Sequence, residues 1–122
     1  MVLGLDPSSS CTGYAVIDDD GKVIDAGKLT PAKASADWPL RTYSMLVPHV
    51  ADIVREHGIT LIAIEEPPSF VMARAGTHAA KVVRAVYGMA LQAALQTGVE
   101  AMPVPLASVT KGRGKKDRVG LE

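Results

Sequence analysis

The sequence predicts an α/β fold with one mixed β-sheet flanked by helices, although the hydrophobic pattern alone leaves α+β open. Three short strand-like runs come first, and two helical repeats follow. Each helical repeat leads into a further apolar run, so the predicted order is β-β-β-α-β-α-β with five strands. The 122 residues suffice for one domain with a core of its own, and we expect a single domain across residues 1–122.

The first three strands are predicted at Val2–Asp6, Tyr14–Asp18 and Lys22–Lys28. Each is a short run in which apolar residues dominate or alternate. Asp19-Asp20-Gly21 separates the second run from the third, and Asp-Gly favours a tight hairpin turn because it tolerates positive φ. These strands should therefore be antiparallel neighbours.

A loop is predicted from Thr30 to Asp37, and a helix from Trp38 to His57. Asp37 is a suitable N-cap, and Gly58 ends the pattern. The apolar side chains of the helix recur at steps of three and four residues: Tyr43, Leu46, Val47, Val50, Ile53 and Val54.

The fourth strand is predicted at Ile59–Glu65, where a nearly continuous apolar run is typical of a strand buried on both faces. A second helix should begin after a loop through about Thr77 and end near Thr97. Its apolar stripe consists of Ala79, Val82, Val83, Val86, Ala90 and Ala94. The fifth strand is predicted at Val99–Val104, where Pro103 and Pro105 favour either a place at the edge of the sheet or an early end of the strand.

Composition and charge exclude several classes of protein. No apolar run approaches the roughly 20 residues of a membrane span, and the start does not resemble a secretory signal. The single cysteine, Cys11, cannot form an internal disulfide, so we expect a cytoplasmic protein. Residues 1–70 hold five Lys or Arg against ten Asp or Glu, whereas residues 71–122 hold eight against three. This split fits a metal site beside a phosphate-binding face, and it equally fits ordinary solvated surfaces.

The segment after the first strand carries the most specific signal. Asp6 ends the strand, and a turn rich in Pro, Ser and Gly follows it. A carboxylate on rigid backbone beside exposed N–H groups suits a divalent metal ion held against a phosphate. An ordinary hairpin with a solvated aspartate is the alternative that the residues alone leave open.

This segment resembles the first strand and turn of the RuvC-type Holliday junction resolvases, members of the ribonuclease-H-like superfamily. Matching residues stand at the family's spacing: Gly4, Leu5, Asp6, Pro7, Ser9, Thr12, Gly13 and Tyr14. Ser8 stands where many members carry glycine. The resemblance implies the ribonuclease-H-like fold, in which the fourth strand lies parallel to the first and beside it.

The resemblance also implies a metal site. Ala63-Ile64-Glu65 matches the family's second acidic motif, which makes Asp6 and Glu65 the expected catalytic residues and metal ligands. Glu66 is a secondary candidate, because neighbouring residues of a strand point to opposite faces. Two Mg²⁺ ions about 4 Å apart are expected to hold the scissile phosphate, with Mn²⁺ as a substitute. Strand-ending glutamates in water are the alternative.

Further residues are expected to bind DNA. Phe70 lies where the resolvases carry a wedge that inserts into the junction centre, although it could equally pack under its loop. A basic run holds Lys111, Arg113, Lys115 and Lys116, and its glycines allow close approach to phosphate. A solvated basic loop is the alternative for this run. Arg74, Lys81 and Arg84 would extend this basic face.

The resolvases complete their site with an Asp-rich helix beyond the basic loop, and the chain reaches Glu122 where that helix should begin. We therefore expect the chain to be truncated and its remaining carboxylates to lie further on. The leading hypothesis is a homodimeric, Mg²⁺-dependent nuclease that cuts four-way DNA junctions, with or without a branch-migration motor. Its dimer interface is predicted on the second helix at Val82, Val86, Met89, Ala90 and Ala93. The alternatives are a module that binds DNA or a partner without cleaving, and a fragment of an actin-like ATPase.

Overall fold

The computed structural model describes residues 1–8, 11–31, 38–67 and 77–105. These ranges contain five strands and two helices in the predicted order. The elements are β1 (Val2–Pro7), β2 (Thr12–Ile17), β3 (Val23–Leu29), α1 (Trp38–His57), β4 (Leu61–Glu65), α2 (His78–Leu95) and β5 (Glu100–Val104). The bounds of α1 are those predicted, while the other elements differ from prediction by one or two residues at their ends.

The sheet is mixed and has the order β3-β2-β1-β4-β5. The pairs β1–β2 and β2–β3 are antiparallel, whereas β4 runs parallel to both β1 and β5. Since parallel neighbours end on the same side, β1 and β4 finish together, and we call this side the carboxyl end of the sheet. Pro103 lies in β5, an edge strand, where a residue without an N–H group is tolerated.

Local signals at the helix ends agree with the sequence. Gly58 ends α1 with a φ of 64°, a left-handed conformation that glycine adopts without a steric penalty. The Thr77 side chain caps α2 by accepting a hydrogen bond from the backbone N–H of Ala80 at 3.2 Å. Asp37, the predicted N-cap of α1, lies outside the described residues. Pro48 lies inside α1, on an exposed position, without ending the helix.

The core lies between the two helices and one face of the sheet. Leu3 and Leu5 of β1 point to this face and are almost completely buried. The other core side chains come from the neighbouring strands and from both helices: Val16, Leu29, Leu46, Val50, Ile53, Ile59, Ile62, Ile64, Ala90, Ala93 and Ala94. Alanine in α2 lets that helix approach the strands closely, so the small side chains are explained by packing within one chain.

The prediction that β4 is buried on both faces is wrong for the described residues. Ile62 and Ile64 are fully buried, whereas Leu61 and Ala63 on the other face are only half-buried. The reason is that α1 and α2 both pack on the face of Leu3 and Leu5. We call the opposite face, to which Gly4 and Ala63 point, the open face.

The predicted interface on α2 also needs correction. Val86, Ala90 and Ala93 are at most 3% exposed within a single chain, because they pack against the sheet. Val82 and Met89 are half-buried beside them. These side chains therefore belong wholly or partly to the packing of one chain, and the buried Val86, Ala90 and Ala93 are not available to a dimer interface.

Ala90→Glu should therefore unfold the protein rather than merely separate two copies. A carboxylate at this fully buried position would have no described partner, and such burial costs about 3 kcal/mol or more. The measurement is thermal unfolding followed by circular dichroism. Ala85→Glu, at an exposed position on the same helix, is the matched control and should leave the melting temperature nearly unchanged. A folded, monomeric Ala90→Glu protein would contradict this account and restore the predicted interface.

Tyr14 joins the sheet to the end of α1. Its ring packs over Gly27, where an added Cβ would lie 3.0 Å from the Tyr14 Cε1 atom, so this position requires glycine. Burial, the charge of Asp25 and a hydrogen bond to Asp25 raise the pKa of Tyr14 above its usual value. The Asp25 carboxylate also lies 3.2 Å from the Nε2 atom of His57. This cluster holds β2, β3 and α1 together on the core side of the sheet.

Within the described ranges, neither helix is long and apolar enough to cross a membrane.

Candidate metal centre and nucleic-acid interface

Asp6 lies at the carboxyl end of β1 and points to the open face. Its neighbours Leu5 and Pro7 are buried on the core side, whereas Asp6 is exposed. Gly13 of β2 pairs with Asp6, and a Cβ built on Gly13 would lie 3.7 Å from the Asp6 Cβ. The two residues therefore face the same side, and the missing side chain at Gly13 leaves space beside the carboxylate.

Glu65 reaches the same face from β4. The parallel register pairs Gly4 with Ala63 and Leu5 with Ile64, so one further step sets Glu65 beside Asp6. Glu65 is half-buried and is the last residue of its strand. Two carboxylates thus stand at the ends of adjacent parallel strands, on one face. The arrangement agrees with the predicted pair of metal ligands, and their role stays a prediction.

Glu66 lies apart from this pair. Its backbone N–H donates to the carbonyl of Val104 at 2.9 Å, which continues the strand pairing by one residue. The alternation of the strand turns its side chain toward the helices. There its charge, together with burial, raises the pKa of Tyr87 on α2 above the usual value. Glu66 is consequently a poor candidate for sharing an ion with Asp6.

The turn between β1 and β2 is closed by Ser8. Its backbone N–H and its hydroxyl group both donate to the carbonyl oxygen of Cys11, at 2.9 Å and 2.7 Å. Cys11 is a free, half-buried thiol. The turn lies directly beyond Asp6, so these hydrogen bonds help to fix the backbone that carries the carboxylate.

Sequence reasoning missed one charged residue on the open face. Lys28 of β3 pairs with Gly13, and Gly13 pairs with Asp6, so the three residues form a row across the sheet. Lys28 is exposed. The signal was hidden by a β-bulge between Val16 and Ile17, which shifts the register of β3 by one residue. Counting back from the hairpin turn without this shift assigns Lys28 to the core face.

The beginning of α2 lies near the carboxyl end of the sheet. Val86 lines a small pocket with Ser8 and Thr12, so it lies level with the ends of these strands. The helix continues from there to Leu95, and β5 starts at the opposite side of the sheet. The helix therefore starts near the carboxyl end of the sheet and runs back toward its other end.

This first part of α2 is basic. Lys81 and Arg84 are exposed there, and α2 contains no Asp or Glu at all. Within the described residues, neither Lys81 nor Arg84 forms a salt bridge with a carboxylate. The positive end of a helix dipole disfavours cations, so their placement does not serve the stability of the helix. A phosphate backbone nearby would make it favourable.

Several predicted residues lie outside the described ranges. These are Phe70, Arg74, Lys111, Arg113, Lys115 and Lys116. Within the described ranges no group of three or more His, Cys, Asp or Glu side chains could hold a metal ion. Asp6 and Glu65 fit two ligands of a hard divalent cation, because carboxylate oxygens suit Mg²⁺ and Mn²⁺.

The chain is similar in sequence to known proteins of one family. The family model of the crossover junction endodeoxyribonuclease RuvC matches residues 2–118. RuvC of Ectopseudomonas mendocina is 32% identical over 99% of this chain and 70% of its own length. RuvC of an Anaeromyxobacter species is 31% identical over 98% of this chain and 59% of its own length. The chain thus spans between half and three quarters of these relatives.

Solved structures agree on the fold. Thermus thermophilus RuvC in complex with a Holliday junction substrate superposes with a TM-score of 0.74 at 18% identity, covering 94% of this chain and 70% of that one. The yeast mitochondrial Holliday junction resolvase Ydc2 superposes with a TM-score of 0.52 at 14% identity, covering 92% of this chain and 58% of that one. With its ribonuclease-H-like sheet and its match to the family over nearly the whole sequence, the chain belongs to the RuvC family of crossover junction endodeoxyribonucleases.

Proposed function

We propose that this protein cuts four-way DNA junctions by metal-dependent hydrolysis of phosphodiester bonds, acting in the cytoplasm. The observation that carries the proposal is the pair Asp6 and Glu65, on one face at the carboxyl ends of adjacent strands. The chain's family and the junction-bound relative support the choice of substrate.

We propose that the site binds two Mg²⁺ ions and that Mn²⁺ can substitute for them. Nucleases of this family generally depend on metal ions, and the two carboxylates favour a hard cation that takes oxygen ligands. When bound, such ions activate the attacking water and stabilise the charge of the leaving oxygen. Asp6 is the bridging ligand in this account. Its strand holds it rigidly, and the missing side chain at Gly13 leaves room for a DNA phosphate beside it.

The DNA backbone is expected to run past the start of α2. Lys81 and Arg84 are exposed there without a described carboxylate partner, so both are available to phosphate oxygens. Phe70, Arg74, Lys111, Arg113, Lys115 and Lys116 are proposed to extend this contact. Phe70 would stack on unpaired bases at the junction centre, and the basic residues would bind phosphate.

Neutralising Lys81 and Arg84 together should weaken binding to every junction sequence alike. Each phosphate contact contributes about 0.9 to the slope of log affinity against log salt, so the double alanine variant should lower the slope by about two. The measurement is junction affinity over a range of salt concentrations. Lys22→Ala, on the hairpin at the opposite end of the sheet, is the control and should leave the slope unchanged. An unchanged slope for the double variant would remove α2 from the interface.

A homodimer is proposed because a four-way junction has two-fold symmetry and needs two matched cuts. Since the apolar side of α2 is occupied by the core, the contact surface is left unassigned among the described residues.

A second candidate function is a module that binds branched DNA without cutting it. The observation that favours it is the presence of only two carboxylates at the site within the described residues. The two functions separate when a labelled four-way junction is incubated with the protein, with and without Mg²⁺. Paired nicks that require the metal support the nuclease, whereas tight binding without nicks supports the module. A linear duplex of the same sequence is the control substrate and should remain intact.

A further inference from the structure

Lys28 is the one lysine that the described strands place in line with the two carboxylates. It lies on β3, two strands away from Asp6, with Gly13 between them. Antiparallel partners have Cα atoms about 5 Å apart, so the Cα atoms of Lys28 and Asp6 are about 10 Å apart. Because Gly13 has no side chain, nothing from β2 stands between the lysine stem and the carboxylate.

The face on which Lys28 lies is established by its neighbours. Gly27, the residue before it, faces the ring of Tyr14 on the core side. Leu29, the residue after it, is 7% exposed and belongs to the core. Alternation therefore turns Lys28 to the open face, where Asp6 also points.

β3 has a free edge among the described strands. A lysine on such a strand ordinarily prevents the edge from pairing with a strand of another chain. That role explains a charge anywhere along the strand. It does not explain why the charge stands in the row of Asp6, at the end of the sheet where the catalytic carboxylates are proposed. No described carboxylate pairs with Lys28, so its ammonium group is not engaged in an ion pair that would account for it.

Phosphate is the ligand that suits this position. The ammonium group is a compact point charge on a flexible four-carbon stem, and lysine commonly binds phosphate in this way. Two carboxylates repel the DNA backbone, so a cation beside them offsets part of that repulsion. A cation aimed at a phosphate under attack also stabilises the charge that develops there.

We propose that Lys28 binds a phosphate of the DNA strand that is cut, next to the carboxylate pair, and thereby positions the scissile bond. The proposal rests on the proposed function and adds a substrate-binding residue to it. Asp6 and Glu65 hold metal in this account, whereas Lys28 contacts DNA alone.

The test compares Lys28→Ala, Lys28→Arg and the matched control Lys22→Ala. Lys22 is an exposed lysine at the other end of the β2–β3 hairpin. Two quantities are measured for each variant: the salt dependence of junction affinity, and the single-turnover rate of nicking at saturating protein. Thermal unfolding shows whether each variant is folded.

Lys28→Ala should lower the salt slope by about one and slow nicking by about 10- to 100-fold, with an unchanged melting temperature. Lys28→Arg should recover most of the rate, since it keeps the positive charge. Lys22→Ala should match the unmodified protein in both measurements. A role confined to edge protection would leave the salt slope and the nicking rate unchanged.

An unchanged salt slope for Lys28→Ala overturns the proposal, as does an equal loss in Lys22→Ala. The slope is measured on binding, so it tests the contact even if the protein binds junctions without cutting them. The proposed function is tested separately by Asp6→Asn. If Asp6→Asn does not cut junctions but Lys28→Ala binds and cuts them normally, only the proposed role of Lys28 is refuted. If Asp6→Asn still cuts junctions, the proposed nuclease site itself is refuted.

Discussion

Asp6→Asn should abolish junction cleavage while leaving junction binding intact or tighter. Asparagine has nearly the shape of aspartate, and the site is exposed, so the fold should not suffer. The change removes one negative charge and one metal ligand at the proposed bridging position, and loss of a single well-placed electrostatic group typically costs about 10²–10³ in rate. Removing that charge also reduces repulsion of the DNA backbone, which is why binding is expected to hold or improve.

The measurement for Asp6→Asn is nicking of a labelled four-way junction in Mg²⁺, together with its affinity measured in the absence of metal. Asp19→Asn is the matched control, because Asp19 is an exposed aspartate on the hairpin at the other end of the sheet. This variant should cut at the normal rate. Undiminished nicking by Asp6→Asn would refute the assignment of the site.

Glu65→Gln and Glu66→Gln should have opposite outcomes, although the two residues are neighbours in sequence. Glu65 faces the side of Asp6, so its amide variant should lose about 10²-fold or more in nicking rate. Glu66 is turned toward α2 and Tyr87, so its amide variant should cut normally. The measurement is single-turnover cleavage of the same junction by both variants. Equal losses of nicking rate in the two variants would indicate that the face on which a glutamate lies does not determine whether it binds the metal.

The pKa of Tyr87 reports independently on where the side chain of Glu66 lies. The charge of Glu66 contributes to the raised pKa of Tyr87, so the variant should bring the pKa of that phenol closer to its usual value. Titration of the tyrosine absorbance measures this shift. A change at Tyr87 without a change in nicking would place Glu66 on the helix side in solution as well.

The pair of acidic strand ends could be predicted because each depends on local sequence. Asp6 follows an apolar run and precedes a turn, and Glu65 ends another apolar run. The choice of Glu65 over Glu66 came from the match of Ala63-Ile64-Glu65 to the family's acidic motif. The two-residue period of a strand then turned Glu66 to the other face, and the register agrees with it. Their shared role in binding metal remains a prediction.

The sequence could not show which face of the sheet Lys28 lies on, because that face depends on a β-bulge that no residue pattern predicts. Ile17 pairs with Val23, and Val16 pairs with Asp25, so one residue of β3 is skipped. A shift of one residue in register moves every later side chain to the opposite face.

The alanines of α2 were misassigned for a different reason. A stripe of small apolar residues suits close packing against a second copy or against the sheet of the same chain, and helical periodicity does not distinguish the two. Their complete burial within one chain shows that they pack against the sheet of that chain. Similarly, the apolar sequence of β4 suggested two covered faces, whereas both described helices pack on one side.

The most direct test of the metal centre is to locate a bound Mn²⁺ ion by its broadening of amide NMR signals. The account predicts that substoichiometric Mn²⁺ broadens the signals of Gly13, Glu65 and Glu66, at the carboxyl end of the sheet, and that excess Mg²⁺ restores them. Signals of Gly21 and Gly98, at the opposite end, should stay sharp, and Asp6→Asn should weaken the broadening. Broadening centred instead on the exposed acidic turn at Asp19 and Asp20, or none at the carboxyl end, would contradict the account.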